Sequence, residues 1–202
     1  MQLVGTYTSP FARKIRVMLI DKGLSHAFLN ESPHEAASRV PAYNPLGKVP
    51  ALVADSGEIF FDSPVIADYL ETLGAAPFFL PADRLEAVRV KQLEALADGV
   101  TDAAVLALME SRRPAALQSA AWVERQWGKV HRGLAELQKY AAGRAWLLGD
   151  AMSLADIATA SMWDWLTFRF PQQGLAAQYP ALAAWAAPVL ARPAFQATVP
   201  RA

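Results

Sequence analysis

The sequence predicts two domains in series, an α/β unit followed by an all-helical one. Three observations carry this reading. Strand-like and helix-like apolar spacings alternate up to about residue 76 in the order β-α-β-α-β-β-α, whereas every periodic stretch from Asp83 onward is helical. The composition also changes at the seam, with all six tryptophans lying after residue 76 and alanine far denser there. The expected boundaries are 1–76 and 84–202, joined by a linker over 77–83. Pro77 and Pro81 bracket Phe78-Phe79-Leu80 in that linker, which predicts a stiff, packed connection.

Each element has a local reason. Residues 3–7 read as a short buried strand, and the following helix opens at Pro10 and closes at Gly23. Its Phe11, Ile15, Met18 and Leu19 fall at i, i+4, i+7 and i+8, one apolar face turned to a sheet. A second strand is expected over 27–29. Ser32-Pro33-His34-Glu35 then supplies a cap, a first-turn proline and the third-position glutamate of a capping box, so a second helix is expected there. Residues 51–53 and 59–61 flank Asp55-Ser56-Gly57 as a hairpin, and Ser63-Pro64 opens a helix carrying Val65, Ile66, Tyr69, Leu70 and Leu73. In the second part a long helix runs to about Glu110 and another starts at Pro114. Ser153-Leu154-Ala155-Asp156 caps a third, and a last helix over 179–190 is expected to bend or end early at Pro188.

Composition narrows the function. Apolar residues make up 53% of the 202 and charged residues 19%, so the chain can bury a core and is not a disordered, solvating segment. Nineteen basic and nineteen acidic residues cancel without any long basic run, which argues against nucleic-acid and anionic-membrane partners. With no cysteine, disulfides, thiolate metal sites and chemistry through a protein thiol are excluded, and no metal is expected. Arg13, Lys14 and Arg16 interrupt the early apolar stretch, so no signal peptide is expected. The uncharged stretch 171–191 is broken by glutamines, Gly174, Pro180 and Pro188 and makes a poor bilayer span. A cytoplasmic location is the expectation.

Three places carry candidate chemistry. Ser9 precedes Pro10 at the N-cap of the first helix; it can serve as a capping acceptor, yet its hydroxyl keeps a proton to donate beside unpaired N–H groups and positive potential. Arg13, Lys14 and Arg16 nearby are expected on a solvated face. Val49-Pro50 ends Asn44-Pro45-Leu46-Gly47-Lys48-Val49-Pro50 directly before a strand, which reads as a turn; a cis bond there would expose the backbone of Val49. Asp62-Ser63-Pro64 offers two capping residues where a helix needs one. The spare carboxylate could take an ammonium group, and the Ser63 hydroxyl with the helix-end N–H groups a carboxylate.

Strand-Ser9-Pro10-Phe11-Ala12-Arg13, the segment Asn44 to Pro50, Asp62-Ser63-Pro64-Val65-Ile66-Ala67 and the later Ser153-Leu154-Ala155-Asp156 together resemble a cytosolic glutathione S-transferase, of the bacterial serine type. The resemblance covers essentially the whole chain. It implies a thioredoxin-like first domain, a helical substrate-binding second domain and a homodimer. By position, Ser9 resembles the serine that hydrogen-bonds the glutathione sulfur, and Val49 beside a cis-Pro50 would pair its backbone with the cysteinyl unit. Asp62 and Ser63 would hold the γ-glutamyl end, and Lys48 the glycyl carboxylate; His34 could assist there. Tyr7 and Thr8 are the runners-up for the role given to Ser9.

The implied activity is transfer of glutathione, as cosubstrate, to small apolar electrophiles, a detoxification reaction. Two other readings stand beside it: a glutathione-binding scaffold with little turnover, and a glutathione-dependent isomerase of an unsaturated diacid that would use Arg13, Arg112 and Arg113. Phe11, Met109, Trp163 and Trp165 are candidates to line the acceptor site, although buried aromatics more often belong to a core.

Overall fold

Leu3 and Val4 are adjacent on one short strand and both are buried, so this strand needs cover on both faces and belongs inside a sheet. In the computed structural model, which describes residues 1–201, it is β1 (Gln2–Gly5). It pairs in parallel with β2 (Ala27–Asn30) and antiparallel with β3 (Ala51–Val53), which pairs antiparallel with β4 (Ile59–Phe60). The strand order is β2-β1-β3-β4. Because Gly5 faces Asn30, Val4 faces Ala51 and Leu52 faces Phe60, the C-terminal ends of β1, β2 and β4 and the start of β3 share one edge. Helix α1 (Pro10–Asp21) leaves β1 at that edge, and α3 (Ser63–Thr72) leaves β4 there.

The first strand is shorter than the expected 3–7. Tyr7 and Thr8 form a turn because the Tyr7 N–H donates to Asn30 Oδ1 at 3.3 Å and the Ser9 N–H closes onto Thr6 C=O at 3.1 Å. Gly5 lets helix and strand meet, since a Cβ there would lie 2.7 Å from the Ala12 Cβ. The expected second helix does not start at Ser32. The Ser32 hydroxyl accepts from His34 N–H at 3.3 Å, a local turn that competes with helix, and only α2 (Val40–Tyr43) forms.

The chain divides into two compact units, one comprising Met1–Arg84 together with the residues from Leu190 onward, the other Leu85–Val189. The C-terminal stretch, expected within the helical domain, thus joins the first unit. Its short helix α9 (Pro193–Gln196) packs on α1, and Arg13 reaches it. Arg13, expected on a solvated face, is only 2% exposed for this reason, and Lys14, expected there too, is 1% exposed. The linker is packed at Phe79, whose N–H donates to the Glu71 carboxylate, while Phe78 stays exposed. Lys22 is the clamp behind it: its buried ammonium pairs with Glu71 at 2.9 Å and donates to the carbonyls of Ala75 and Pro77.

The second unit contains α4 (Arg84–Ser111), α5 (Ala120–Ala141), α6 (Leu154–Arg169), α7 (Leu175–Gln178) and α8 (Pro180–Leu190). Helix α5 begins at its Ser119 cap rather than at Pro114, which opens a short 3-10 turn instead. Residues 154–163 of α6 are buried all round, as expected of a central helix, and Trp163 and Trp165 are core. Asp156 ties this unit together: its carboxylate accepts from Ser153 N–H and Oγ at 2.7 Å each and from Leu147 N–H at 2.8 Å. Helix α8 runs two residues past Pro188 before it stops.

Candidate active site

Two of the three candidate segments start helices, and the sheet brings all three to one edge. Ser9 sits at the end of the β1 turn, Val49 and Pro50 lead into β3, and Asp62 and Ser63 follow β4. Two helix N-termini, those of α1 and α3, therefore open at the same edge, each with unpaired N–H groups and positive potential.

Ser9 is the N-cap of α1 and its Oγ accepts from Ala12 N–H at 3.2 Å. The capping role uses a lone pair and leaves the hydroxyl proton without an acceptor among the described residues. The Val49–Pro50 bond is cis, and the Val49 N–H and C=O form no hydrogen bond among the described residues. Asn44 shapes that loop from a buried position: its Nδ2 donates to Lys48 C=O at 3.0 Å and its Oδ1 accepts from Leu46 N–H at 3.0 Å. Lys48 itself is exposed.

At α3 the two capping candidates divide their work differently from the expected way. Asp62 is the cap, and its exposed carboxylate accepts the Ser63 N–H. Ser63 is fully buried and its Oγ has no hydrogen-bond partner among the described residues. One Asp62 oxygen thus serves the cap, and the Ser63 hydroxyl is the unpaired group in the interior. Such a buried, unpaired hydroxyl is costly to the fold and is expected only where something else pairs with it.

Profiles of two domains match the chain. The Glutathione S-transferase N-terminal domain matches residues 8–73 and the Glutathione S-transferase C-terminal domain matches residues 120–187. The chain belongs to the glutathione S-transferase family. It is 44% identical to the uncharacterized GST-like protein YibF of Escherichia coli K12, over 99% of this chain and 98% of that one. A maleylacetoacetate isomerase of Pseudomonas aeruginosa is 33% identical, over 78% of this chain and 77% of that one. A glutathione S-transferase from Methylobacillus flagellatus KT, solved with GSH bound, superposes with a TM-score of 0.95 at 38% identity and covers 99% of both chains. The expected glutathione S-transferase fold, with its small mixed sheet followed by helices, is therefore the fold observed.

Other expected residues fall elsewhere. Arg13, one of three cations named for isomerase chemistry, is buried and donates to Thr198 Oγ1 and Phe195 C=O, so it is part of the core. Arg113 pairs with Glu110 at 3.0 Å. His34 is exposed. Tyr7 lies in the turn with its ring against Phe28, centroids 5.0 Å apart. Sequence reasoning missed a hollow of about 520 Å³ at the same sheet edge, lined by Thr6, Tyr7, Thr8, Asn30, Ser32 and Arg201. Nothing local in the sequence links residue 201 to residues 6–8. Among the described residues no cluster of three or more His, Asp or Glu could hold a metal, and no helix is long and apolar enough to cross a membrane.

Proposed function

We propose that this chain is an active glutathione transferase in which Ser9 donates a hydrogen bond to the sulfur of bound glutathione and the resulting thiolate attacks an electrophilic carbon. The observation that carries this reading is the unspent hydroxyl proton of Ser9 at a helix N-terminus. The Val49 backbone would pair with the cysteinyl unit, the Ser63 hydroxyl and Asp62 with the γ-glutamyl end, and Lys48 with the glycyl carboxylate. Related proteins with bound glutathione support this assignment, and one from Pseudomonas fluorescens, with S-(propanoic acid)-glutathione, carries a thioether of the kind such an attack leaves.

The energetics are sufficient. A free thiol of pKa roughly 8.5 is about 3% ionised at pH 7, and lowering it by about two units requires about 2.7 kcal/mol. A hydrogen bond to a charged acceptor contributes roughly 1.5–3 kcal/mol and a helix N-terminus roughly 0.3–1 kcal/mol. No protein nucleophile is needed, which agrees with the absence of cysteine. We also propose a cytoplasmic homodimer; the exposed apolar side chains Ile59, Val65 and Leu73 of β4 and α3 support an assembly face. Light scattering should give twice the 21.9 kDa chain mass.

The deciding experiment is a pH titration of thiolate absorbance with glutathione bound. Ser9→Ala should raise the midpoint by about one to two units, since it loses a bond of roughly 1.5–3 kcal/mol. Ser9→Thr should keep part of the shift and Tyr7→Phe should change it little. A midpoint that Tyr7→Phe moves and Ser9→Ala does not would transfer the role to Tyr7.

A further inference from the structure

We propose that the hollow beside Ser9 selects electrophiles carrying a carboxylate next to the carbon that is attacked, with Arg201 as its specificity-determining residue. This rests on the transferase reading above and names the substrate class for the same site. Thr8, the chain neighbour of Ser9, lines the hollow, at the same sheet edge as the N-terminus of α1.

The charge of the hollow has one sign. The Arg201 guanidinium lies 4.1 Å from the centroid of the Tyr7 ring, and that of Arg16 lies 5.3 Å from the same ring and 4.8 Å from the Phe28 ring. Of these residues only Tyr7 and Arg201 line the hollow, with Thr6, Thr8, Asn30 and Ser32, and the lining contains no acidic side chain. Glu31, the acid nearest in sequence, is taken by Arg39, which pairs with it at 2.9 Å. Among the described residues Arg201 has no carboxylate partner, and Arg16 Nη1 is buried with no acceptor at all. Burial lowers the pKa of Arg16 from its ordinary value; Tyr7 opposes this, and the charges of Arg201 and Arg13 add to it. Both guanidiniums lie against the same Tyr7 ring; Arg16 Nη2 donates to Ala197 C=O at 3.5 Å, and neither has a carboxylate partner among the described residues. An anion in the hollow supplies the counter-charge that Arg201 lacks, while the Tyr7 ring gives the rest of a small acceptor an apolar wall.

The reaction balances without any redox partner. For a halocarboxylate, the sulfur lone pair forms the C–S bond as the carbon–halogen bond breaks, and halide leaves with the bonding pair. The product is a thioether whose carboxylate stays on Arg201.

Product analogues test this directly. Calorimetry should compare S-carboxymethylglutathione with S-carbamoylmethylglutathione, which differ only in the acid and its neutral amide. The acid should bind roughly three- to tenfold more tightly, and added salt should shrink the difference. In Arg201→Gln the ratio should fall to about one, and Arg201→Lys should keep part of it. Arg201 is exposed, so the fold is not at stake. Glutathione affinity measured on the same proteins separates the two readings. Glutathione binding with equal affinities for acid and amide, or with a ratio that Arg201→Gln leaves unchanged, overturns this inference alone. No glutathione binding overturns the transferase reading and this one with it.

Discussion

Arg13 Nε donates to Thr198 Oγ1 at 3.3 Å, joining residues 185 positions apart in the chain. The same guanidinium donates to Phe195 C=O at 3.2 Å and lies 5.6 Å from the Phe195 ring centroid. The C-terminal segment is thereby built into the sheet-bearing unit, against the helix whose N-terminus carries Ser9. Arg13→Met keeps much of the apolar stem but removes both charged hydrogen bonds, leaving the Thr198 hydroxyl its bond to Ala194 C=O and the Phe195 carbonyl its bond from Thr198 N–H. It should cost about 1–3 kcal/mol in urea denaturation. A loss below about 0.5 kcal/mol, the range of an ordinary surface change, would show that the contact does not hold the segment.

Ser63 should separate stability from binding. Its buried Oγ has no partner among the described residues, so Ser63→Ala removes an uncompensated polar group and should leave stability within about 0.5 kcal/mol or raise it. Glutathione should nevertheless bind about five- to thirtyfold more weakly, equivalent to a lost hydrogen bond of about 1–2 kcal/mol. Asp62→Ala provides the contrast, since loss of the α3 cap should cost roughly 0.5–2 kcal/mol of stability. Unchanged glutathione affinity in Ser63→Ala would remove that hydroxyl from the site.

Two glycines in the helical unit should respond to alanine with opposite signs. At Gly133 in α5 a Cβ would lie 2.1 Å from Val100 Cγ2, on a side chain too stiff to swing away. Overpacking of about 1–3 kcal/mol should therefore outweigh a helix-propensity gain of up to about 1 kcal/mol, and Gly133→Ala should destabilise. At Gly99 in α4 a Cβ meets nothing within 4 Å, so Gly99→Ala should stabilise by roughly 0.5–1 kcal/mol. Thermal melts of the two variants are sufficient; a stabilised Gly133→Ala would mean that α4 and α5 can separate at no cost.

Asp156→Ala should be the most damaging of these changes, about 2–4 kcal/mol, because it strands the Leu147 and Ser153 N–H groups in the core. Burial pushes the Asp156 carboxyl above its ordinary pKa, although its hydrogen bonds pull the other way. A raised folded pKa means that the native state holds the proton more tightly than the unfolded chain. The advantage of wild type over Asp156→Ala should then be greatest below the unfolded value near 3.8 and shrink as pH rises through the folded value. Guanidinium titrations across that range check the sign; an advantage that grows with pH would mean that hydrogen bonding outweighs desolvation.

The sequence by itself determined the order of elements, the caps of α1 and α6 and the three candidate segments. These depend on interactions within a few residues: Ser9 before Pro10, two capping residues before Pro64, and the Asp55-Ser56-Gly57 hairpin signal. It overstated the helix after Ser32, where a side-chain turn of equally short range competes with the cap it resembles. Only the tertiary structure decided that the Ser63 hydroxyl is the unpaired group in the interior, because that depends on burial by other elements. It also decided that Arg13 is core and that Arg201 stands over Tyr7. Those contacts span more than 180 residues. No periodicity or motif encodes them, because they exist only once α9 has folded back onto α1 and the cost of closing so long a loop has been met by the whole unit.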